Sequence, residues 1–512
     1  MLQVINSVVP YARQLEHQNE LSSDLIQTRE YRQAKTNEKL SQTFTQLWIS
    51  HTSCGLLKCD FAFRYFTTIV PNTLTHPMAQ TTRSLTRLPL NPYALKLLHE
   101  LGVPSLNKSA LEAEHPARQM AESGLMTLPA SSIPVLCPVP LADCANGTLN
   151  AFRALSDIDV LPGTSGAELL TERAAIISRK ADDSAQRRCR LLSTSDGVIA
   201  LNLARAEDQE LIPAWLKLPE LIGWEGIESA LLTRPTQALL DRGRLLGLAV
   251  ADATQIPSSP ANWLKTTAVR RPVTSKRKGP RVIDLSSLWA GPLCSHLWQA
   301  AGADVIKIES SQRPDGARAG PVEFFDLLNS GKECITLDLH RESGRRELHE
   351  LMKSADIVLE ASRPRALQQM GIIATELVAE TPGLTWVSIT GYGRDEPNGN
   401  WVGYGDDAAI AAGLSAILHS ATGQWLVCGD AIADPLTGMH AALAGWSSWN
   451  TGGGQLLELS LEGSVRHCIT ATAPENNNYR DRQQRWQDYL QRHNICPSHP
   501  RRRNEISSSA HS

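Results

Sequence analysis

The chain has 512 residues, 42% hydrophobic and 20% charged. That is globular composition and excludes disordered, collagenous and disulfide-scaffold classes. Lys+Arg 50 against Asp+Glu 53 leaves a net charge of -3, without the basic excess of a dedicated nucleic-acid binder.

Residues 1–77 are rich in Gln, Thr, Ser and Asn and read as a polar N-terminal extension outside the fold. Leu95, Leu97, Leu98 and Leu101 recur at helical spacing, so Asn91 to Leu101 is predicted as an amphipathic helix. The proline-rich Pro129 to Pro140 reads as an extended linker, and Pro235 to Leu248 as a second helix. Residues 256–280 combine prolines, serines and a basic cluster with little apolar pattern, and mark the best domain boundary. Beyond it, strands are expected at Arg281 to Leu285, Asp304 to Glu309, Cys334 to Leu339, Ile357 to Glu360 and Leu384 to Thr390, alternating with helices. This alternation is the pattern of βαβ units on a parallel sheet. The expected fold class is α/β, a Rossmann-like parallel sheet with a smaller α+β region. The expected segments are 1–77 (extension), 78–275 (a degenerate half with a small domain), 276–474 (the chemistry-bearing domain) and 475–512 (a polar tail outside the fold).

No run of ~18 apolar residues is present, as a membrane-spanning helix would require, and no charged leader precedes an apolar run. A cytoplasmic protein without a membrane partner is expected. The cysteines lack framework spacing and any CxxC, and read as reduced thiols without a metal. GxGxxG, GxxxxGK[ST], GxSxG and HExxH are all missing. The chain therefore offers no sequence basis for a nicotinamide or flavin site, a P-loop, a hydrolase elbow or a zinc protease.

The most informative stretch is Gly429-Asp430-Ala431-Ile432-Ala433-Asp434-Pro435-Leu436-Thr437-Gly438-Met439-His440. Asp434 before Pro435 suits a helix N-cap, where backbone N–H groups favour an ionised carboxylate and stabilise a neighbouring oxyanion. It is either a plain cap or a carboxylate nucleophile. Asp430 is a nearby competitor. A shorter echo, Ala142-Asp143 with Gly147, lacks the Thr-Gly-Met-His continuation and reads as structural.

Five blocks in order resemble the class III CoA-transferases, the CaiB/BaiF-like family. They are Val282 to Pro292 with Gly302 to Glu309; Asn329 to Lys332 with Ile335 to Leu339; Ala355 to Gly371; Val387 to Gly393; and the Asp434 block with Thr451 to Leu461. The resemblance implies a transferase moving CoA between carboxylic acids through an aspartyl anhydride and an aspartyl-CoA thioester, with Asp434 as nucleophile. It implies acyl-CoA and carboxylic acid substrates, CoA contacts at Leu288, Trp289, Ala290, Leu337, His340, Arg363 and Met370, and substrate-orienting roles for Arg318, Tyr404 and Gly438. Dimers are the family's form, and the two halves of this chain leave its stoichiometry open. Where many members place Asn-Phe and an arginine, this chain has Ala361-Ser362 and Gln369. Racemases of this fold carry a histidine near the Tyr404 position, and tyrosine, with a reference pKa of about 10, is a poor base for that reaction. The alternatives are thus a racemase or epimerase, and a catalytically silent CoA-binding scaffold.

Overall fold

Apolar runs such as Val282-Ile283 and Val358-Leu359 become central strands covered on both faces, as parallel sheets require. The computed structural model describes residues 90–104, 114–127, 134–177, 188–220, 223–273, 277–501 and 503. The expected extension at 1–77 lies outside them. Ten strands are described, in two sheets. β1 (Cys189–Ser193), β2 (Val198–Asn202) and β3 (Ala249–Asp252) form a small antiparallel sheet. Its apolar face packs on Trp215, Leu231, Leu239 and Leu240.

The larger sheet comprises β4 (Lys265–Ala268), β5 (Arg281–Asp284), β6 (Asp304–Ser310), β7 (Glu333–Leu337), β8 (Ile357–Glu360), β9 (Thr385–Thr390) and β10 (Gln455–Ser460). Its order is β4-β10-β9-β8-β5-β6-β7, parallel except for β4. The fold is mixed α/β with a mostly parallel central sheet, as expected. The strand order reverses around β5, whose neighbours are β8 and β6, and open α/β sheets bind ligands outside the carboxyl ends of strands at such a switch point.

Seven helices matter here: α1 (Pro92–Glu100), α2 (Leu141–Ser156), α3 (Ala290–Ala300), α4 (Gly405–Ala411), α5 (Ala433–Asn450), α6 (Leu461–Ala471) and α7 (Tyr479–Arg492). α5 lies at the centre, almost wholly buried. α3 packs along it, and the Trp298 indole donates to the Ala442 carbonyl at 2.9 Å. α1 and α2 cover α5 from another side, and Tyr93 Oη sits between His440 Nε2 at 2.9 Å and His467 Nδ1 at 2.8 Å.

Three features differ from the sequence reading. First, residues 256–280 are not simply a linker, because they contain edge strand β4. All four of its side chains are exposed, so it carries no apolar pattern to read. Second, the expected boundary at 276 does not separate two cores: Leu97, Leu149, Leu293, Leu436 and Leu443 belong to one buried cluster. Third, the segment from 475 does not lie outside the fold. α7 buries Tyr479, Gln483, Trp486 and Leu490, and Arg503 Nη2 donates to buried Glu172 at 2.8 Å. Only about one α7 residue in four faces inward, which is why its composition looks like a solvated tail.

Candidate active site

The turn from β5 into α3 and the entry to α5 meet at the site. Asp434 lies one residue inside α5, after Ala433, rather than at the N-cap, which is Ile432. Its N–H bonds the Ala431 carbonyl at 2.9 Å. Pro435 costs nothing there, because first-turn N–H groups have no intrahelical partner. Ala290, the first residue of α3, directs its backbone N–H to the Asp434 carboxylate.

Two glycines make this approach possible. A Cβ on Gly405 would lie 2.2 Å from Asp434 Oδ2, and one on Gly438 would lie 2.6 Å from the Ala290 carbonyl. Gly405 opens α4 beside the nucleophile candidate, and Gly438 lets α3 and α5 close on each other. Two non-glycine residues flank the carboxylate in left-handed backbone, Leu288 at φ 69° and Ala431 at φ 48°. Asp406 Oδ1 accepts the Ala431 N–H at 2.7 Å.

Burial pushes the Asp434 carboxyl up to about 7. Asp406 and Asp407 push in the same direction, whereas Arg173 and the Ala290 N–H pull it down. Arg173 is held in place by Asp430, whose two oxygens accept from Nη1 at 2.8 and 2.7 Å. Asp430, the competing carboxylate, is therefore engaged in an ion pair. Asp407 is also pushed up to about 7, chiefly by burial, although it accepts from Tyr392 Oη at 2.7 Å and Asn202 Nδ2 at 2.8 Å. A carboxyl raised from 3.8 to about 7 binds an extra proton in the folded state between those values. Its contribution to stability therefore falls as pH rises through that window.

The structure brings Ala290, Gly438 and the Tyr404–Gly405 step together around Asp434. Trp289 is buried, packs edge-to-face on Phe324 at 5.4 Å, and lies 6.0 Å from the Arg173 guanidinium. Its Nε1 and the Thr437 hydroxyl are buried without a hydrogen-bond partner among the described residues. Leu288 exposes its side chain at the rim. Arg363 and Tyr404 share a cluster with Arg205, Arg313 and Arg365. Burial and those three guanidiniums together hold Arg363 below its ordinary range. Arg313 follows β6 and Arg363 and Arg365 follow β8, at the carboxyl ends of the strands flanking β5. None of these three has an acidic partner among the described residues, whereas Arg205 is paired with Asp208.

Arg318 grips Glu309, with Nε at 3.0 Å from Oε2. Leu337 closes β7, His340 follows β7 and Met370 follows β8, and none of the three is among the groups around Asp434. Asp143, at the start of α2, is occupied by side-chain amides: Asn91 Nδ2 at 2.9 Å and Gln119 Nε2 at 3.1 Å. Sequence reasoning missed Arg173, Arg205, Arg313, Asp406 and Asp407. Of these, only the two aspartates had a local signal, two adjacent charges opening an apolar run.

Residues 278–500 match the model of CoA-transferase family III. The chain is 29% identical over 206 residues to the succinyl-CoA--D-citramalate CoA-transferase of Chloroflexus aurantiacus, covering 38% of this chain and 51% of that protein. It is 30% identical over 218 residues to the succinate--glutarate CoA-transferase of Agrobacterium fabrum, covering 39% and 54%. It is 32% identical over 203 residues to a formyl-CoA:oxalate CoA-transferase of Escherichia coli, covering 37% and 48%. The chain thus spans about half the length of the curated relatives it matches. The crystal structure of a CaiB/BaiF family protein from Brucella suis is 29% identical, with a TM-score of 0.35, over 38% of this chain and 55% of that one. Residues 278–500 thus carry the chain's similarity to CoA-transferase family III.

Proposed function

We propose that the protein transfers CoA between carboxylic acids, with Asp434 as nucleophile. The observation that carries this reading is the Asp434 carboxylate at the mouth of α5, receiving the Ala290 N–H inside the segment that matches the family. Asp434 attacks the thioester carbonyl of an acyl-CoA, the C–S bond breaks, and the electron pair leaves on the CoA thiolate. The resulting mixed anhydride keeps the acyl group activated. The thiolate then attacks the aspartyl carbonyl, releasing the donor acid and leaving an aspartyl-CoA thioester. The acceptor carboxylate attacks that carbonyl and expels the CoA thiolate, giving a second mixed anhydride. The thiolate then attacks the acceptor's acyl carbonyl, forming the new acyl-CoA with the Asp434 carboxylate as leaving group. The helix N-terminus and the Ala290 N–H are placed to stabilise the charge that develops at each attack. The unpaired Trp289 Nε1–H and Thr437 hydroxyl support a substrate with acceptor atoms, because a buried polar group left unmatched costs ~1–3 kcal/mol.

The Arg313, Arg363 and Arg365 charge at the carboxyl edge of the sheet supports binding of the CoA phosphates. Arg363→Ala is expected to raise KM for acyl-CoA roughly tenfold, with kcat little changed. The loss should be greater at low ionic strength. An equal fall in kcat with KM unchanged would assign Arg363 elsewhere.

Only ionised Asp434 is nucleophilic, so kcat/KM is expected to rise with pH through about 7 and level off above it. A flat profile from pH 5 to 9 would contradict the site assignment. The direct test is incubation with acyl-CoA donors and hydroxylamine, followed by mass spectrometry of the Asp434 peptide. A hydroxamate at Asp434 is expected. CoA binding without any adduct would favour the silent scaffold. Homodimer assembly and a cytoplasmic location belong to the same reading. Among the described residues, no helix is long and apolar enough to cross a membrane.

A further inference from the structure

Leu288 holds φ at 69°, a conformation that costs a non-glycine residue of order 1–3 kcal/mol and persists only where the surroundings impose it. Here the surroundings are a chain of buried charge. Asp315 Oδ1 accepts the Leu288 N–H at 2.9 Å and the Ala317 N–H at 2.9 Å. Asp315 Oδ2 pairs with Lys307 Nζ at 2.9 Å, both side chains being inaccessible to solvent. Lys307 also donates to the Ser286 carbonyl at 2.8 Å, at the start of the same turn. Behind Asp315, Glu309 accepts the Asp315 N–H at 2.8 Å and is gripped by Arg318. From the other side, Asp284 accepts the Ser286 N–H at 2.9 Å. Two residues beyond Leu288, the chain presents the Ala290 N–H to Asp434.

We infer that Asp315, together with Lys307, is a positioning residue for the transfer: it clamps the 286–289 turn in the strained shape that aims the Ala290 N–H at the Asp434 carboxylate. Asp315 touches neither Asp434 nor the open site, and acts through the turn. The other groups facing Asp434 are Arg173 from the N-terminal helices and Asp406 and Asp407 from α4. Changes at Asp315 leave all three in place, so a change in Asp434 titration reads the Ala290 N–H. The inference rests on Asp434 as nucleophile, but its primary readout does not.

The experiment titrates Asp434 in the full chain by NMR of 13C-labelled aspartate, in parallel with the pH profile of kcat/KM. In Asp315→Ala the Asp434 midpoint is expected to move up by roughly one unit, because a hydrogen bond to the ionised form is lost. A fall in kcat of roughly tenfold or more is expected with it, with KM changing less. Arg318→Ala, at an exposed side chain, tests the same chain of contacts where folding is not at risk. The same changes are expected, only smaller. A lowered melting temperature with an unmoved Asp434 midpoint would overturn the inference, since a merely structural role predicts that. If Asp315→Ala does not fold, an unmoved midpoint in Arg318→Ala overturns it alone. Failure to trap an adduct on the wild-type Asp434 would sink the transferase reading, while the NMR titration would still decide the clamp.

Discussion

Asp434→Asn is expected to reduce transfer by roughly 10⁴-fold or more, the scale on which loss of a covalent nucleophile is felt. Asparagine keeps the shape of the side chain and can accept the Ala290 N–H through its carbonyl oxygen. It cannot form the anhydride, because its amide is a poor nucleophile toward a thioester. The variant should therefore still bind acyl-CoA and give no hydroxamate. Its stability distinguishes this from damage to the fold. Burial disfavours the wild-type carboxylate, which titrates near 7. At pH 8 the wild type carries that penalty and the variant does not, so the variant should unfold at equal or higher urea concentration. The difference should shrink toward pH 4, where the wild-type group is protonated in the folded state. Retained transfer would remove Asp434 from the mechanism. Lost transfer with a markedly lower urea midpoint at pH 8 would assign it a structural role instead.

The largest loss of stability is expected from Lys332→Met, roughly 3–5 kcal/mol, the cost of removing one partner of a buried ion pair. Lys332 Nζ lies 3.4 Å from Asp284 Oδ2, and neither side chain is accessible to solvent. The ammonium also donates to Ser295 Oγ at 2.8 Å, to the Pro292 carbonyl at 3.0 Å and to Asn329 Oδ1 at 3.0 Å. Methionine fills the stem but leaves the Asp284 carboxylate with the Ser286 and Ser295 hydroxyls and the more remote Lys307. Burial alone would push the Asp284 carboxyl up; Lys332, Lys307 and the two serines outweigh it and hold it below its usual range. Its stabilising contribution is therefore present above the unfolded carboxylate range and is lost as pH falls through the lowered native value. Adding Asp284→Asn to the lysine variant should recover much of the loss, because no unpaired buried charge remains. Urea midpoints of the two single variants and the double variant measure this directly. An additive double variant would show that the pair does not act as a unit.

Much of the larger sheet was legible because its strands are short apolar runs between turn signals, and five fall within a residue or two of their expected bounds. β4 was not, since an edge strand with four exposed side chains has no periodicity to find. The nucleophile candidate was visible through the Asp-Pro helix start and the family's five blocks. Its electrostatic surroundings were not. Arg173 and Asp430 lie 257 residues apart in the chain, and a partner at that separation leaves no local signature. Arg205 comes from the small sheet region and joins Arg313 and Arg363 only through the tertiary fold. α7 was hidden by its strong amphipathicity, with polar residues so numerous that four buried positions did not register.

The shared core has a consequence for how the chain is made. Tyr93 on α1 finds His440 on α5 only after 347 further residues have been added. At ~5–20 residues per second, that is roughly 20–70 s of ribosomal elongation. Throughout that interval the apolar face of α1, and that of α2 once it has been made, have no α5 to cover them. The N-terminal helices are thus expected to rely on protection from aggregation until α5 emerges, and slowed elongation before residue 440 should raise misfolding more than slowing after it.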